Sequence, residues 1–393
     1  MKKVFLVWWR EYRSILADPG ALLILFGAVV IYSIVYPIPY SPEVLKEVPV
    51  GVVDLDRSAL SRRLIRMVDA NEYVRVAFRE TQLARAETEV LAGKAGGILL
   101  VPEGFQRKIL RGEQADVGVF ADAGYLLVYR QVYTGLLHAT RTLSAGIEIR
   151  RLRAGGMAEG QALASRDPLA LIARPLFNPA TGYATYVVPA VLLLILQQTL
   201  LIGIGLLGGT ERETSGIPPV SDPGRDRPAV LQVLLGKTAA YLALYLVYSC
   251  YYFGILYRVY RFPQRAEAGT VLLFVLPFLI SVILLGLALS ALFHHRESAM
   301  QALLFTSIPA IFLSGFAWPP EAIPGWLRIL SYLLPSTAGI SGFLRVNQMG
   351  ASLSEVRFEW LILWGLCVLY SGLAWFSLAR STPVGETRDP NGA

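Results

Sequence analysis

The chain has 393 residues, of which 54% are hydrophobic and only 17% charged, with a mean hydropathy of +0.49. This is too apolar for a soluble globular protein, in which about a quarter of the residues are charged. The formal net charge of +7 fits Lys and Arg held at a membrane surface, with membrane lipid as the partner and no nucleic acid.

Residues 1–20 predict an amphipathic interfacial helix. Val4, Trp8, Tyr12 and Ile15 fall at helical spacing, flanked by Phe5, Trp9 and Leu16, with Lys2, Lys3, Arg10, Arg13 and Ser14 on the other side. Asp18-Pro19-Gly20 then turns the chain into an uncleaved first span within 21–40.

Residues 41–182 carry most of the charge and alternate strand and helix patterns. Strands are expected at 48–54, 73–78, 96–101 and 117–120. Helices are expected after a Ser58 cap, with Leu60, Leu64, Ile65 and Val68 inward, and at 82–91, 105–110 and 125–152. The crossovers are long enough for parallel pairing, so an α/β domain with a long final helix is expected.

From residue 183 the chain returns to the membrane. Uncharged runs at 184–209, 238–257, 268–293, 299–318 and 360–379 predict transmembrane helices 2–6 within 183–379. Each matches the about 20 residues needed to cross a bilayer core. The expected fold is therefore a polytopic α-helical membrane protein. It has six transmembrane helices and an α/β extracytoplasmic domain between spans one and two. Eleven Lys and Arg on the side of the termini, against six in the short loops opposite, put both termini in the cytoplasm. The loop 210–237 and the tail 380–393 then face the cytoplasm. The proline-rich segment 317–357, with Pro319, Pro324, Trp326 and Pro335, is expected to dip into the outer face as a re-entrant region.

Little catalytic chemistry emerges. Gly236-Lys237-Thr238 ends like a phosphate loop, but Leu231 stands where the pattern needs glycine. Lys237 is read as an interfacial anchor. His294-His295 and His138 lack further ligands at metal spacing, so no metal and no catalytic residues are expected. Cys250 and Cys367 lie in apolar runs and read as packing residues. Asp54 and Asp56 read as a strand end and a helix start. Gln197, Gln198 and Thr199 in the second span, and Gln301, Thr306 and Ser307 in the fifth, are candidates for interhelical hydrogen bonds or for lining a translocation path. Gly205 and Gly209, four apart, permit close helix packing.

Several stretches, in this order, resemble the permease subunits of bacterial type-2 ABC exporters, in the branch with a large outer domain. They are Asp18-Pro19, Val50-Gly-Val-Val-Asp54 with Asp56, Leu100-Val-Pro-Glu-Gly-Phe105, Asn178-Pro179, Glu211-Arg-Glu213, Leu235-Gly-Lys237, Leu313-Ser-Gly-Phe316 and Pro324-x-Trp-Leu327 with Pro335. The chain departs from the family after the glutamates, where Ser215-Gly-Ile-Pro-Pro219 replaces a Gly-Thr-Leu-Glu type continuation.

The resemblance implies efflux driven by a separate ABC ATPase subunit. ATP and Mg would bind in that partner and no cofactor in this chain. It implies a second permease copy or homologue, giving a dimer, and leaves room for a periplasmic adaptor. Coupling to the ATPase is assigned to Glu211, Arg212, Glu213 and Gly216, with Trp8, Trp9 and Arg13 of the elbow helix. The location would be the bacterial inner membrane. A membrane-anchored sensor and an integral membrane enzyme are the alternatives.

Overall fold

The computed structural model describes residues 1–169, 171–215 and 230–380. The chain divides into two compact units, one of Met1–Glu43 with Pro175–Ala393 and one of Val44–Arg174.

The first unit begins with α1 (Lys2–Ala17). Asp18 ends it and caps the next helix, its Oδ1 accepting from the amides of Gly20 and Ala21 at 2.8 and 3.0 Å. With Pro19 at the first helical position, this is a strong helix start. The span α2 (Pro19–Tyr40) follows, with one π-helical stretch at Leu23–Ala28.

The second unit holds β1 (Val48–Asp54), α3 (Ala59–Asp69), β2 (Val74–Glu80), α4 (Leu83–Leu91), β3 (Gly97–Val101), α5 (Phe105–Arg111), β4 (Gly118–Ala121), α6 (Leu126–Ala154) and α7 (Glu159–Arg166). Ser58 caps α3 as expected, accepting from Ser61 N at 3.0 Å. The expected strands form one sheet in the order β2-β1-β3-β4. Val50, Val52, Leu99 and Val101 pack under Leu64, Val68, Val132 and Leu136 of α3 and α6. The opposite face buries Val53 and Ile98 with Ala86 of α4.

Pairing is parallel for β1 with β2 and with β3, but antiparallel for β3 with β4. The expectation of parallel pairing fails there because the connecting helix is short. The seven residues of α5 span about 10 Å, too little to carry the chain back along the sheet. Helix α7 has no counterpart among the expected elements.

The first unit resumes with α8 (Tyr183–Ser215), then α9 (Val230–Val259), α10 (Ala268–Ser290), α11 (Arg296–Phe305), α12 (Ser307–Leu313), α13 (Gly325–Ser331), α14 (Pro335–Met349) and α15 (Arg357–Arg380). The apolar window of α8 is 83% buried, against 28% for α2 and 33% for α15, so α8 is the axis of the bundle.

Two prolines sit inside spans, Pro189 in α8 and Pro277 in α10. Each lacks the N–H for the carbonyl four residues earlier, and an unpaired carbonyl is costly away from water. Both carbonyls are met from another helix. Gln348 Nε2 of α14 donates to Thr185 O at 2.5 Å, and Trp360 Nε1 of α15 to Leu273 O at 3.3 Å. Tyrosines line one face of α9 and fasten it to its neighbours. Tyr245 OH donates to Thr199 Oγ1 of α8 at 2.9 Å, and Tyr252 OH to Val29 O of α2 at 2.7 Å.

Five helices among the described residues are long and apolar enough to cross a membrane. The count reaches six if α13 and α14, bent by 85° at residues 332–334, make one span. The expected fifth span at 299–318 is not a single helix. It breaks at Thr306 into α11 and α12, of ten and seven residues. Pro309 has no N–H for Phe305 O, and Thr306 N closes onto Leu303 O instead. Cys250 is exposed on α9 while Cys367 is buried, so only Cys367 is the packing residue expected.

Candidate functional site

A group of charged residues of the first unit meets where α1, the start of α2, the end of α8, the start of α9 and the start of α11 come together. The approach begins with Gly236 on α9. A Cβ there would stand 2.7 Å from Val7 Cβ and 2.9 Å from Val4 O, so only glycine lets α1 lie this close. Val4, Val7, Glu11 and Ile15 fall at i, i+3, i+7 and i+11, one helical face. Glu11 is thereby carried into the packed surface, 2% exposed.

Lys237 follows Gly236 and is 7% exposed. Its Nζ lies 3.1 Å from Glu11 Oε2 and donates to Glu211 Oε1 and Oε2 at 2.9 and 3.0 Å. Tyr241, one turn further along α9, donates to Glu11 Oε1 at 2.6 Å. Lys237 is thus no interfacial anchor. It is the buried centre of an ionic group, because its stem enters a crevice walled by α1 and α8 rather than reaching toward solvent. A cavity of about 30 Å³ lies beside it, lined in part by Glu11, Glu211, Arg212 and Lys237, and is large enough for a water. Burial raises the Tyr12 phenol on α1 above its ordinary value. It remains a donor, bonding Ala240 O of α9 at 3.0 Å.

The three consecutive charges of α8 diverge, since successive helical residues point about 100° apart. Glu211 reaches Lys237. Arg212 Nη1 donates to Phe293 O at 3.2 Å. Glu213 Oε1 accepts from Arg296 N at 2.9 Å, at the first turn of α11, where a carboxylate is favoured by the helix dipole. Arg296 Nη2 returns to Asp18 Oδ1 at 3.4 Å, and Thr210 Oγ1 donates to Asp18 Oδ2 at 3.3 Å. Gly205 and Gly209 make room for α11. A Cβ on Gly205 would strike Leu303, and one on Gly209 would lie 2.6 Å from Arg296 N.

A sequence model of the ABC-2 family transporter proteins matches residues 20–376. This chain belongs to that family. Among curated proteins it is 25% identical over 365 residues to the probable multidrug ABC transporter permease YbhR of Escherichia coli K12, covering 92% of this chain and 93% of that one. It is 23% identical to the inner membrane transport permease YhhJ of the same strain, covering 96% of each. It is 21% identical to the linearmycin resistance permease protein LnrN of Bacillus subtilis 168, covering 91% of this chain and 94% of that one. The chain is the membrane permease subunit of an ABC exporter, with multiple membrane spans. The drugs in those names belong to those relatives.

The remaining sequence candidates in this ABC-2 permease fall outside the ionic group. Trp9 is exposed on α1 with Arg13 over its ring at 5.5 Å, and Trp8, half-buried, packs between Trp9 and Tyr12. Gly216 lies outside the described residues. Thr199 is interhelical through Tyr245. Gln197 Oε1 and both amide atoms of Gln198 are buried without a hydrogen-bond partner. Gln301 is exposed, and Thr306 and Ser307, at the break between α11 and α12, bond the carbonyls of Leu303 and Leu304 at the end of α11, at 2.6 and 2.7 Å. Pro324 and Pro335 start α13 and α14, Pro319 precedes a short 3-10 turn, and Trp326 is 68% exposed.

Glu11, Tyr241 and Arg296 were not among the candidates. A signal for Glu11 existed, since an acid at i+7 from Val4 breaks the apolar stripe of α1 and demands a buried cation.

Proposed function

We propose that the Glu11–Lys237–Glu211 group transmits the stroke of a separate ATPase into the spans. The observation that carries this reading is the single ammonium of Lys237 shared by carboxylates of α1 and α8. A buried ion group adds little net stability compared with apolar packing. It does fix one relative geometry, because displacing any member leaves a buried charge unpaired. A push on α1 therefore moves the end of α8 and the start of α9 with it, and Arg296 extends the linkage to α11 through Asp18 and Glu213.

In this reading ATP and Mg are bound by the ATPase partner, and no cofactor is bound here. A second copy or a homologous permease completes the path, with a periplasmic adaptor as a further candidate partner. The buried, unpaired amides of Gln197 and Gln198 support a place on that path. The bent pair α13–α14 is the sixth crossing or a re-entrant segment near the outer face. The Lys and Arg bias supports cytoplasmic termini and an extracytoplasmic α/β domain. The relative named as an inner membrane permease supports an inner-membrane location, and the drugs in the relatives' names support drug efflux.

The test is export by vesicles containing the permease and a co-purifying ATPase. A Lys237→Met variant should retain the ATPase but lose most substrate-stimulated ATP hydrolysis and export. Normal export by a Glu11→Met, Glu211→Met, Lys237→Met triple variant refutes the proposal.

A further inference from the structure

We infer that Glu43 latches α2 to the start of α8, and that the exporter must release this latch in each transport cycle. Glu43 follows α2 and is half-buried. Its Oε2 accepts from Thr185 N at 3.0 Å and its Oε1 from Thr185 Oγ1 at 2.6 Å. Its own carbonyl accepts from Tyr183 N at 2.8 Å. One residue from a distant segment thus takes two of the amides that the first turn of α8 leaves without a helical partner. Gln348 of α14 holds Thr185 through its carbonyl. Asn178 holds the preceding Gly182 twice, accepting from its N at 3.0 Å and donating to its O at 2.8 Å. A Cβ on Gly182 would stand 3.0 Å from Glu43 Cβ and would strike the carboxylate, so glycine leaves the latch its place.

The other end of α2 is tied in the same way. Asp18, which starts α2, accepts from Thr210 Oγ1 of α8 at 3.3 Å. About 40 Å of helix separates Thr185 from Thr210. A carboxylate therefore pins α2 to α8 at each end, while the apolar window of α2 is only 28% buried. With so little packing along its length, α2 can pivot once one end is let go.

The Glu43 end is the one poised to let go. Glu43, Phe177 and Thr181 have positive φ, at 62°, 63° and 49°, and make up three of the six such non-glycine residues among the described residues. Side chains disfavour this region, and such backbone persists only where its surroundings hold it. Opening the latch relaxes that strain, which offsets part of the hydrogen bonding lost. The Asp18 end has no such strain and is braced by Arg296. Glu43 is thus a positioning residue for export, fixing α2 against α8 in one state and freeing it in another.

A disulfide in place of the latch tests this on the full chain. Glu43→Cys with Gly182→Cys starts from a Cβ separation of 3.0 Å, about half an ångström short of disulfide geometry. Exposed Cys250 is replaced by Ser, and Cys367 is buried. In vesicles carrying the permease and its ATPase, the pair should cross-link under mild oxidant. The reduced pair should export, because its latch is open. Cross-linking should cut export about tenfold or more, since it blocks a motion that gates turnover, and dithiothreitol should restore it. A merely structural contact would tolerate the bond, because it never has to part. Glu43→Cys alone should ignore the oxidant. Undiminished export by the cross-linked permease overturns the proposal, as does a reduced pair that exports nothing or a pair that does not cross-link. The inference rests on the exporter assignment and not on the coupling role of Lys237, whose variants leave this cross-link in place.

Discussion

Lys237 Nζ lies 3.1 Å from Glu11 Oε2, an ion pair in which both side chains are under 10% exposed. It joins the first helix of the chain to the start of α9, and Glu211 closes the group from α8 at 2.9 Å. The pair stands because Gly236 removes the side chain that would hold α1 away.

Removing one member should cost more than removing all three. Lys237→Met leaves the buried Glu11 carboxylate and the half-buried one of Glu211 without their cation, and losses of about 3–5 kcal/mol are typical of half-broken buried pairs. The triple Met variant should recover most of that loss. Thermal unfolding in detergent measures both, and equal melting of single and triple variants contradicts the buried-pair account.

The two glutamates of α8 should separate. Glu211→Gln removes the charge that Lys237 needs, whereas Glu213→Gln keeps an amide oxygen for Arg296 N. Export should therefore fall several-fold for Glu211→Gln, as expected from losing about 1–3 kcal/mol at a charge-assisted contact. Glu213→Gln should lose less. Export assays at matched abundance decide, and the reverse order is inconsistent with the geometry.

Gly236→Val should push α1 off α9. Its Cβ would stand 2.7 Å from Val7 Cβ, so something must move, and overpacking costs about 1–3 kcal/mol. Val7→Ala removes γ-carbons but not the contacting Cβ, so rescue should be partial. Protease nicking after α1 reports the displacement, and wild-type protection in Gly236→Val argues against close packing.

Gln348→Leu should destabilise the bundle out of proportion to its size. It strands Thr185 O, the carbonyl freed by Pro189, at about 1–3 kcal/mol. A compensating Pro189→Ala should restore the intrahelical bond and most of the stability. No recovery in the double variant would falsify the pairing.

Leu91 is 87% exposed at the end of α4 and suits a topology probe. Leu91→Cys should label from outside intact cells. Labelling only after permeabilisation reverses the orientation proposed from the charge bias.

The strands at 48–54 and 97–101, the Ser58 cap and the apolar lengths of α2, α8, α9, α10 and α15 were legible in the sequence, because each depends on local periodicity, capping chemistry or run length. The residues 299–318 also passed as a span by composition. Their break at Thr306 depends on Pro309 and on a 3-10 closure to Leu303 O, which hydropathy does not register.

Glu211, Arg212 and Glu213 were visible as a charge cluster, but their partners were not. Which carboxylate meets Lys237, which caps α11, and why Glu11 is buried depend on helices brought together from distant parts of the chain. The sequence by itself determined that this is a polytopic membrane protein with an inserted α/β segment, since apolar run length is a one-dimensional property, and the permease reading came from the family resemblance. Only the tertiary structure decided that Lys237 is shared by Glu11 and Glu211. A buried charge is defined by its neighbours in space, and glycines such as Gly236 and Gly209 set those distances by what they leave out.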